Sequence, residues 1–127
     1  TAWRLPWTRF SAGSPASRHV EHRVCGADAN PYLAVAAVLA AMHHGIANRI
    51  DPGPAVVGNG YEDEASAGVK LPNNWFAAND AFEASPLMND YLGTRFVKNY
   101  TIVKRTEMAR FYGEVTELDY DWYLRNA

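Results

Sequence analysis

The stretch Ser17-Arg18-His19-Val20-Glu21-His22-Arg23-Val24 holds the chemistry of this chain. Read as a β-strand, it alternates between two faces. Ser17, His19, Glu21 and Arg23 then share one face, and Arg18, Val20, His22 and Val24 share the other. A carboxylate between an imidazole and a guanidinium suits a site for a metal-bound phosphate. A glutamate oxygen is a hard donor of the kind Mg²⁺ takes, and the arginine fork matches a carboxylate or a phosphoryl group. The same residues also read as an i, i+2 ion pair on a solvated strand, and the strand alone does not choose. His19 and Glu21 could begin a zinc site, but no third ligand stands at a telling spacing.

The charge around this stretch is uneven. Arg4, Arg9, Arg18 and Arg23 face a single acid, Glu21, within residues 1–25. An arginine excess of that kind points to an anionic ligand or an acidic neighbouring segment. Residues 51–90 carry seven acids against Lys70 alone, so the two regions offset each other and the net charge is −2. That balance argues against a general nucleic-acid binder. Cys25 is the single cysteine, which excludes an internal disulfide and fits a reducing, cytoplasmic setting. Its place between a strand and a glycine turn predicts a small buried hydrophobe. No basic head and apolar run open the chain, as a signal peptide would, and Thr1 in place of an initiator Met suggests a segment of something longer.

The elements that must position these residues follow from the patterning. Asn30 and Pro31 are a helix start: Asn caps free N–H groups, and Pro fits the first helical position. From Pro31 to Asn48 no residue carries a full charge, and alanines at 34, 36, 37, 40, 41 and 47 allow close approach. Such a helix is expected to be buried on most sides; its small residues, His43-His44 and Asn48 argue against a membrane span. Gly45 predicts a close contact rather than an end. Residues 51–74, rich in Gly, Pro and acids, read as a long surface loop. Asn73 or Asn74 would cap a helix to about Ala84, with Trp75, Phe76, Ala77 and Phe82 on its apolar side. Ser85, Pro86 and Gly93 bracket a short helix. From Thr94 to about Glu114, Phe96, Tyr100, Val103, Glu107 and Phe111 recur at helical spacing and predict a core stripe with one polar member. A last short helix covers Glu117–Asn126. The fold class is α+β: short N-terminal strands, then about four or five helices.

The run from Ser17 to Ile46 closely resembles the C-terminal part of the catalytic domain of the glutamine synthetase family. That family carries Arg-Arg-φ-Glu-x-Arg, a short turn, then Ala-Asn-Pro-Tyr-Leu opening an Ala-rich helix that ends in Gly-Ile. Glu21, Arg23, Ala29, Asn30, Pro31, Tyr32, Leu33, Gly45 and Ile46 fall in register. Arg4 and Arg9, five apart, resemble the arginine pair upstream of that strand. Looser likeness in "NRIDPGP", "LPNNWFAANDAFEASPLMNDYLG" and "VTELDYDWYL" is to the branch that joins glutamate to amines such as polyamines.

The resemblance implies that residues 1–127 form the C-terminal segment of such a catalytic domain, with residues 1–25 as the active-site strand region and 26–127 as the helical part. It implies an ATP-dependent ligase joining glutamate to ammonia or an amine through γ-glutamyl phosphate, with Mg²⁺ or Mn²⁺. Glu21 looks like the metal-holding carboxylate and Arg23 like the arginine gripping the side-chain carboxylate of glutamate. Arg4 and Arg9 resemble the arginines on the transferring phosphoryl group and the nucleotide phosphates, which makes Arg4 and Arg23 the catalytic candidates. His19 stands where the family usually has the second arginine of its pair, a phosphate-binding position, and Trp3 where it usually has Asn before Arg4. Tyr61 occupies roughly the loop position that some bacterial members modify; an unmodified loop tyrosine is expected here. The remaining metal ligands and the adenine-binding strand are expected upstream. A dodecamer-like ring is implied for the full-length protein, with no nucleic-acid or membrane partner. The alternative is a non-catalytic scaffold or helical interaction module, which the departure at His19 keeps open.

Overall fold

The computed structural model describes residues 8–10, 14–17, 19–22, 24–51 and 71–124, with backbone alone for 8–10 and Ser17. The chain divides into two compact units, one running to Leu71 and one starting at Pro72.

In the first unit, β1 (Thr8–Phe10) and β2 (Val20–His22) form an antiparallel two-stranded ladder. Its register sets Thr8 opposite His22, Arg9 opposite Glu21, and Phe10 opposite Val20. The strand expected over 17–24 is shorter than the alternation suggested. Pro15–Ser17 turns as one 3₁₀ turn and His19 precedes the ladder, so Ser17 and His19 are not strand neighbours of Glu21. A proline with its fixed φ and no N–H to give is the physical reason for a turn there.

The connection to the first helix folds on itself. Ala29 N–H donates to Gly26 O at 3.1 Å. A Cβ on Gly26 would meet Asp28 Oδ1 at 2.6 Å, the end of an exposed side chain that can turn aside. Helix α1 (Pro31–Ala47) then starts as its sequence predicts: Asn30 Oδ1 accepts from Tyr32 N–H at 3.0 Å and Leu33 N–H at 3.3 Å. Gly45 lies inside the helix, as expected. The helix ends in a left-handed cap, with Ile50 N–H on Gly45 O at 2.9 Å and Arg49 N–H on Ile46 O at 3.1 Å. That pattern places Arg49 in the position glycine usually takes, with φ of 50°.

The burial expected of α1 is not observed. Of its residues Ala40 is buried, while Tyr32, Val35, Leu39 and Ile46 are exposed. These four recur at helical spacing and form one apolar stripe. An uncharged helix is buried only where another layer covers it, and among the described residues none covers that stripe. Cys25 likewise is exposed rather than a buried hydrophobe, because it sits on the bend after β2 and not beneath a packed layer.

The second unit is helical: α2 (Trp75–Ala84), α3 (Pro86–Leu92), α4 (Thr94–Gly113) and α5 (Glu117–Tyr123). The starts follow the capping residues. Asn74 Oδ1 accepts from Ala77 N–H at 2.8 Å, and Ser85 Oγ from Met88 N–H at 3.3 Å. Gly93, at φ 84°, ends α3 and opens α4, a conformation that L side chains resist. Asp119 accepts from the Thr116 N–H and hydroxyl, both at 2.8 Å, in a capping box that opens α5. Those hydrogen bonds, the backbone one first, hold its carboxyl below the usual aspartate range.

Helix α4 packs against α2 and α3. Its buried side chains are Val97, Thr101 and Met108, not the expected stripe of Phe96, Tyr100, Val103, Glu107 and Phe111. The two rows differ by one residue, about 100° around a helix. Aromatic pairs join α2 to α4 beside this buried row: Phe82–Tyr100 at 5.3 Å, Phe76–Tyr112 at 5.1 Å and Trp75–Phe111 at 6.2 Å between centroids. On α2 the buried residue is polar: Asn79 is 5% exposed and its Nδ2 has no hydrogen-bond partner. One edge of the seam is ionic. Arg105 Nη2 donates to Glu83 Oε2 at 2.5 Å and to Asp80 Oδ1 at 3.1 Å, and those hydrogen bonds raise the pKa of the guanidinium. Asn89 Nδ2 donates to the Glu83 and Ser85 carbonyls at 3.0 and 2.9 Å, which ties α3 to the end of α2.

Of the loop expected over 51–74, residues 52–70 with Tyr61 lie outside the described residues, and α5 ends at Tyr123 rather than Asn126. Among the described residues no helix is long and apolar enough to cross a membrane.

Candidate functional site

The candidate residues gather on the two-stranded ladder. Glu21 occupies the middle position of β2 and is half-buried. Strand alternation puts Val20 and His22 on the opposite face from it. Beyond β2, the turn at Gly26 and the Asn30 cap lead into α1.

Arg9 sits at the centre of β1 as the register partner of Glu21. In an antiparallel ladder, directly opposite residues belong to one face, with Cβ atoms roughly 4.5–5.5 Å apart. Sequence reasoning did not find this pairing: three residues of β1 carry too short a pattern to read as a strand, and register is a property of two segments. His19 is exposed and enters β2 from outside the ladder. Arg4 and Arg23 lie outside the described residues.

The donor chemistry fits a hard cation at Glu21. A half-buried carboxylate on a fixed strand supplies one oxygen ligand of the kind Mg²⁺ or Mn²⁺ takes. Among the described residues no group of three or more His, Cys, Asp or Glu converges on a single point, so Glu21 fits as one member of a wider ligand set.

Residues 3–123 match the glutamine synthetase catalytic domain. The chain belongs to the glutamine synthetase family. It is 38% identical over 119 residues to γ-glutamylputrescine synthetase of Escherichia coli, covering 94% of this chain and 25% of that protein. It is 39% identical over 121 residues to a glutamine synthetase of Halobacterium salinarum, covering 91% of this chain and 27% of the relative. A third relative, γ-glutamylethanolamide synthetase of Streptomyces coelicolor, is 34% identical over 115 residues, 91% of this chain and 23% of its own length. The chain therefore spans about a quarter of the length of these relatives. Family membership, likeness to the amine-ligating branch and the mostly helical fold agree with the sequence reading. All three relatives are named for ligation of glutamate or formation of glutamine.

Proposed function

We propose that this chain is the C-terminal part of an ATP-dependent γ-glutamyl ligase that joins glutamate to ammonia or an amine. What supports this most is the match over residues 3–123, which includes the whole Glu21-x-Arg23 stretch. In this reading Glu21 gives a carboxylate oxygen to Mg²⁺ or Mn²⁺. The bound cation supplies charge neutralisation for the phosphates of ATP. Arg23 presents two parallel N–H donors to the γ-carboxylate of glutamate and aims one oxygen at the terminal phosphorus of ATP. That oxygen forms the new P–O bond as the bond to ADP breaks. Arg4, Arg9 and His19 bind phosphate oxygens, where rigid positive charge stabilises the transferring group. The amine nitrogen then attacks the acyl carbon, phosphate leaves, and the nitrogen loses a proton.

The acceptor is an amine or ammonia. Relatives named for putrescine, for ethanolamide formation and for glutamine formation stand at similar identity, so identity over this segment does not separate them. A cytoplasmic homo-oligomer is the setting we infer for the full-length protein.

Glu21→Gln in the full-length protein tests the reading, because it keeps size and removes charge. Turnover should fall steeply and saturation should require far more Mg²⁺. Near-wild-type turnover at low Mg²⁺ would remove Glu21 from the metal site. A wild-type full-length protein without glutamate- and amine-dependent ATP turnover would favour a non-catalytic scaffold instead.

A further inference from the structure

Helix α4 turns a basic and partly apolar face outward, away from the seam it shares with α2. We propose that this face is a docking surface for an acidic amphipathic helix of another protein, one with an apolar centre and carboxylates at both ends.

The helix carries five cations and one acid, Glu107. Two of the cations are paired within the unit: Lys104 Nζ lies 2.6 Å from Glu107 Oε2, and Arg105 bridges to Asp80 and Glu83 on α2. Arg95, Lys98 and Arg110 are exposed, with no ion pair among the described residues. At 100° per residue these three fall within about 120° of one another, on the side opposite the buried row of Val97, Thr101 and Met108. Ile102 lies between Lys98 and Arg95 on that side, and Val103 and Phe96 lie beside Arg110; they are 50%, 54% and 38% exposed. The charge does not serve the helix itself. Arg95 stands in the first turn, which holds no acid, where the macrodipole disfavours a cation.

The pattern along the axis defines the partner. Arg95 and Lys98 stand near one end, Ile102 and Val103 in the middle and Arg110 near the other. From Arg95 to Arg110 is about 22 Å, or about four turns. A helix of that length laid along α4 buries its apolar residues on Ile102 and Val103 and brings carboxylates to both basic ends. Asn99 and Thr106 are exposed on the same side. Polar residues there suit contact with another helix and not entry into hydrocarbon, which favours a protein over an anionic membrane. Two copies meeting through this face would set like charge against like.

The test uses the full-length protein and a designed, fluorescently labelled helical peptide of about four turns, with a leucine stripe and glutamates at both ends. Anisotropy should show saturable binding that weakens as salt rises. The Arg95→Glu/Lys98→Glu/Arg110→Glu variant should bind it about ten-fold more weakly or worse, because three attractive exposed contacts become repulsive. A second peptide with lysine in place of each glutamate should prefer that variant over the parent. Ile102→Asp should weaken the glutamate peptide by about ten-fold through loss of the apolar centre. The position is exposed, so far-UV circular dichroism of this variant should match the parent.

Absence of saturable binding, equal affinity of the parent for the two peptides, or unchanged affinity in either variant would overturn the proposal. Two further results would overturn it by naming a different occupant. If charge reversal dissociates the full-length protein in analytical ultracentrifugation, a second copy covers the face. If the parent binds phosphatidylserine vesicles through these cations and ignores the glutamate peptide, the occupant is a membrane.

Discussion

At the scale of the residue, two arginines carry opposite lessons. Arg23 is one residue whose shape should matter as much as its charge. If it holds the γ-carboxylate of glutamate by two parallel N–H donors, Arg23→Lys in the full-length protein exchanges a fork for a mobile point charge. The expected loss is roughly 2–4 kcal/mol, or on the order of 30- to 1,000-fold in kcat/KM for glutamate. Calorimetry should find nucleotide binding much less affected. A solvated partner of Glu21 would change kcat/KM by less than about 1 kcal/mol in free energy, and steady-state kinetics with glutamate varied distinguishes the outcomes. Arg49 is a matter of backbone. It takes the left-handed position that ends α1, at φ 50°, where a Cβ crowds the following carbonyl. Arg49→Gly should relieve roughly 0.5–1 kcal/mol of that cost at the C-terminus of α1, net of the extra freedom glycine has when unfolded. Slower amide exchange at Arg49 and Ile50, whose N–H groups form the cap, is the expected sign. Faster exchange there would mean the arginine side chain contributes more than its backbone costs.

At the scale of the element, helix α4 shows how packing selects a face. Phe96, Val103 and Phe111 stay exposed while Val97, Thr101 and Met108 are buried. Thr101 is fully buried, with its hydroxyl 3.1 Å from Val97 O and 2.9 Å from Lys98 O, so the polar group is satisfied within its own helix. Asn79, across the seam on α2, is not satisfied in that way. A buried amide donor without an acceptor costs about 1–3 kcal/mol. Asn79→Leu keeps the branched shape and removes the donor, and even with its larger methyl groups it should stabilise the second unit by about 1 kcal/mol in denaturant melts. Destabilisation instead would show that the amide has an acceptor in the full-length protein. Met108→Ala at the same seam is the internal contrast, with an expected loss of about 2–5 kcal/mol from lost contacts and the cavity left behind.

At the scale of the whole molecule, the chain exposes surfaces that a stand-alone domain would cover. Tyr32 and Ile46 on α1 are 84% and 76% exposed, and Phe76, Phe111, Tyr112 and Trp122 in the second unit are each at least half exposed. Apolar surface exposed in each unit in this way marks contact sites. The 127-residue chain by itself should therefore bind an apolar dye more strongly, per mole, than the full-length protein does. It should also show no ATP-dependent ligation of glutamate, since the proposed metal site needs more ligands than Glu21. Phosphate release by the 127-residue chain, stimulated by glutamate and an amine, would contradict that.

Local chemistry was legible from the sequence wherever one residue acts on its near neighbours. Asn30, Asn74 and Ser85 cap the helices they were expected to cap, Pro31 and Pro86 occupy first positions, and Gly93 makes the turn its type permits. The Glu21-x-Arg23 stretch and the Ala-Asn-Pro-Tyr-Leu that follows it were enough to point to the family. These signals act over three or four residues and need no partner element. Tertiary structure alone decided the rest. Whether α1 is covered, which row of α4 is buried, that Cys25 is exposed, and that Arg9 lies opposite Glu21 all depend on what a second segment does. Periodicity in one helix cannot say which of two adjacent apolar rows meets a neighbour, because a rotation of one residue preserves the pattern and changes only the packing.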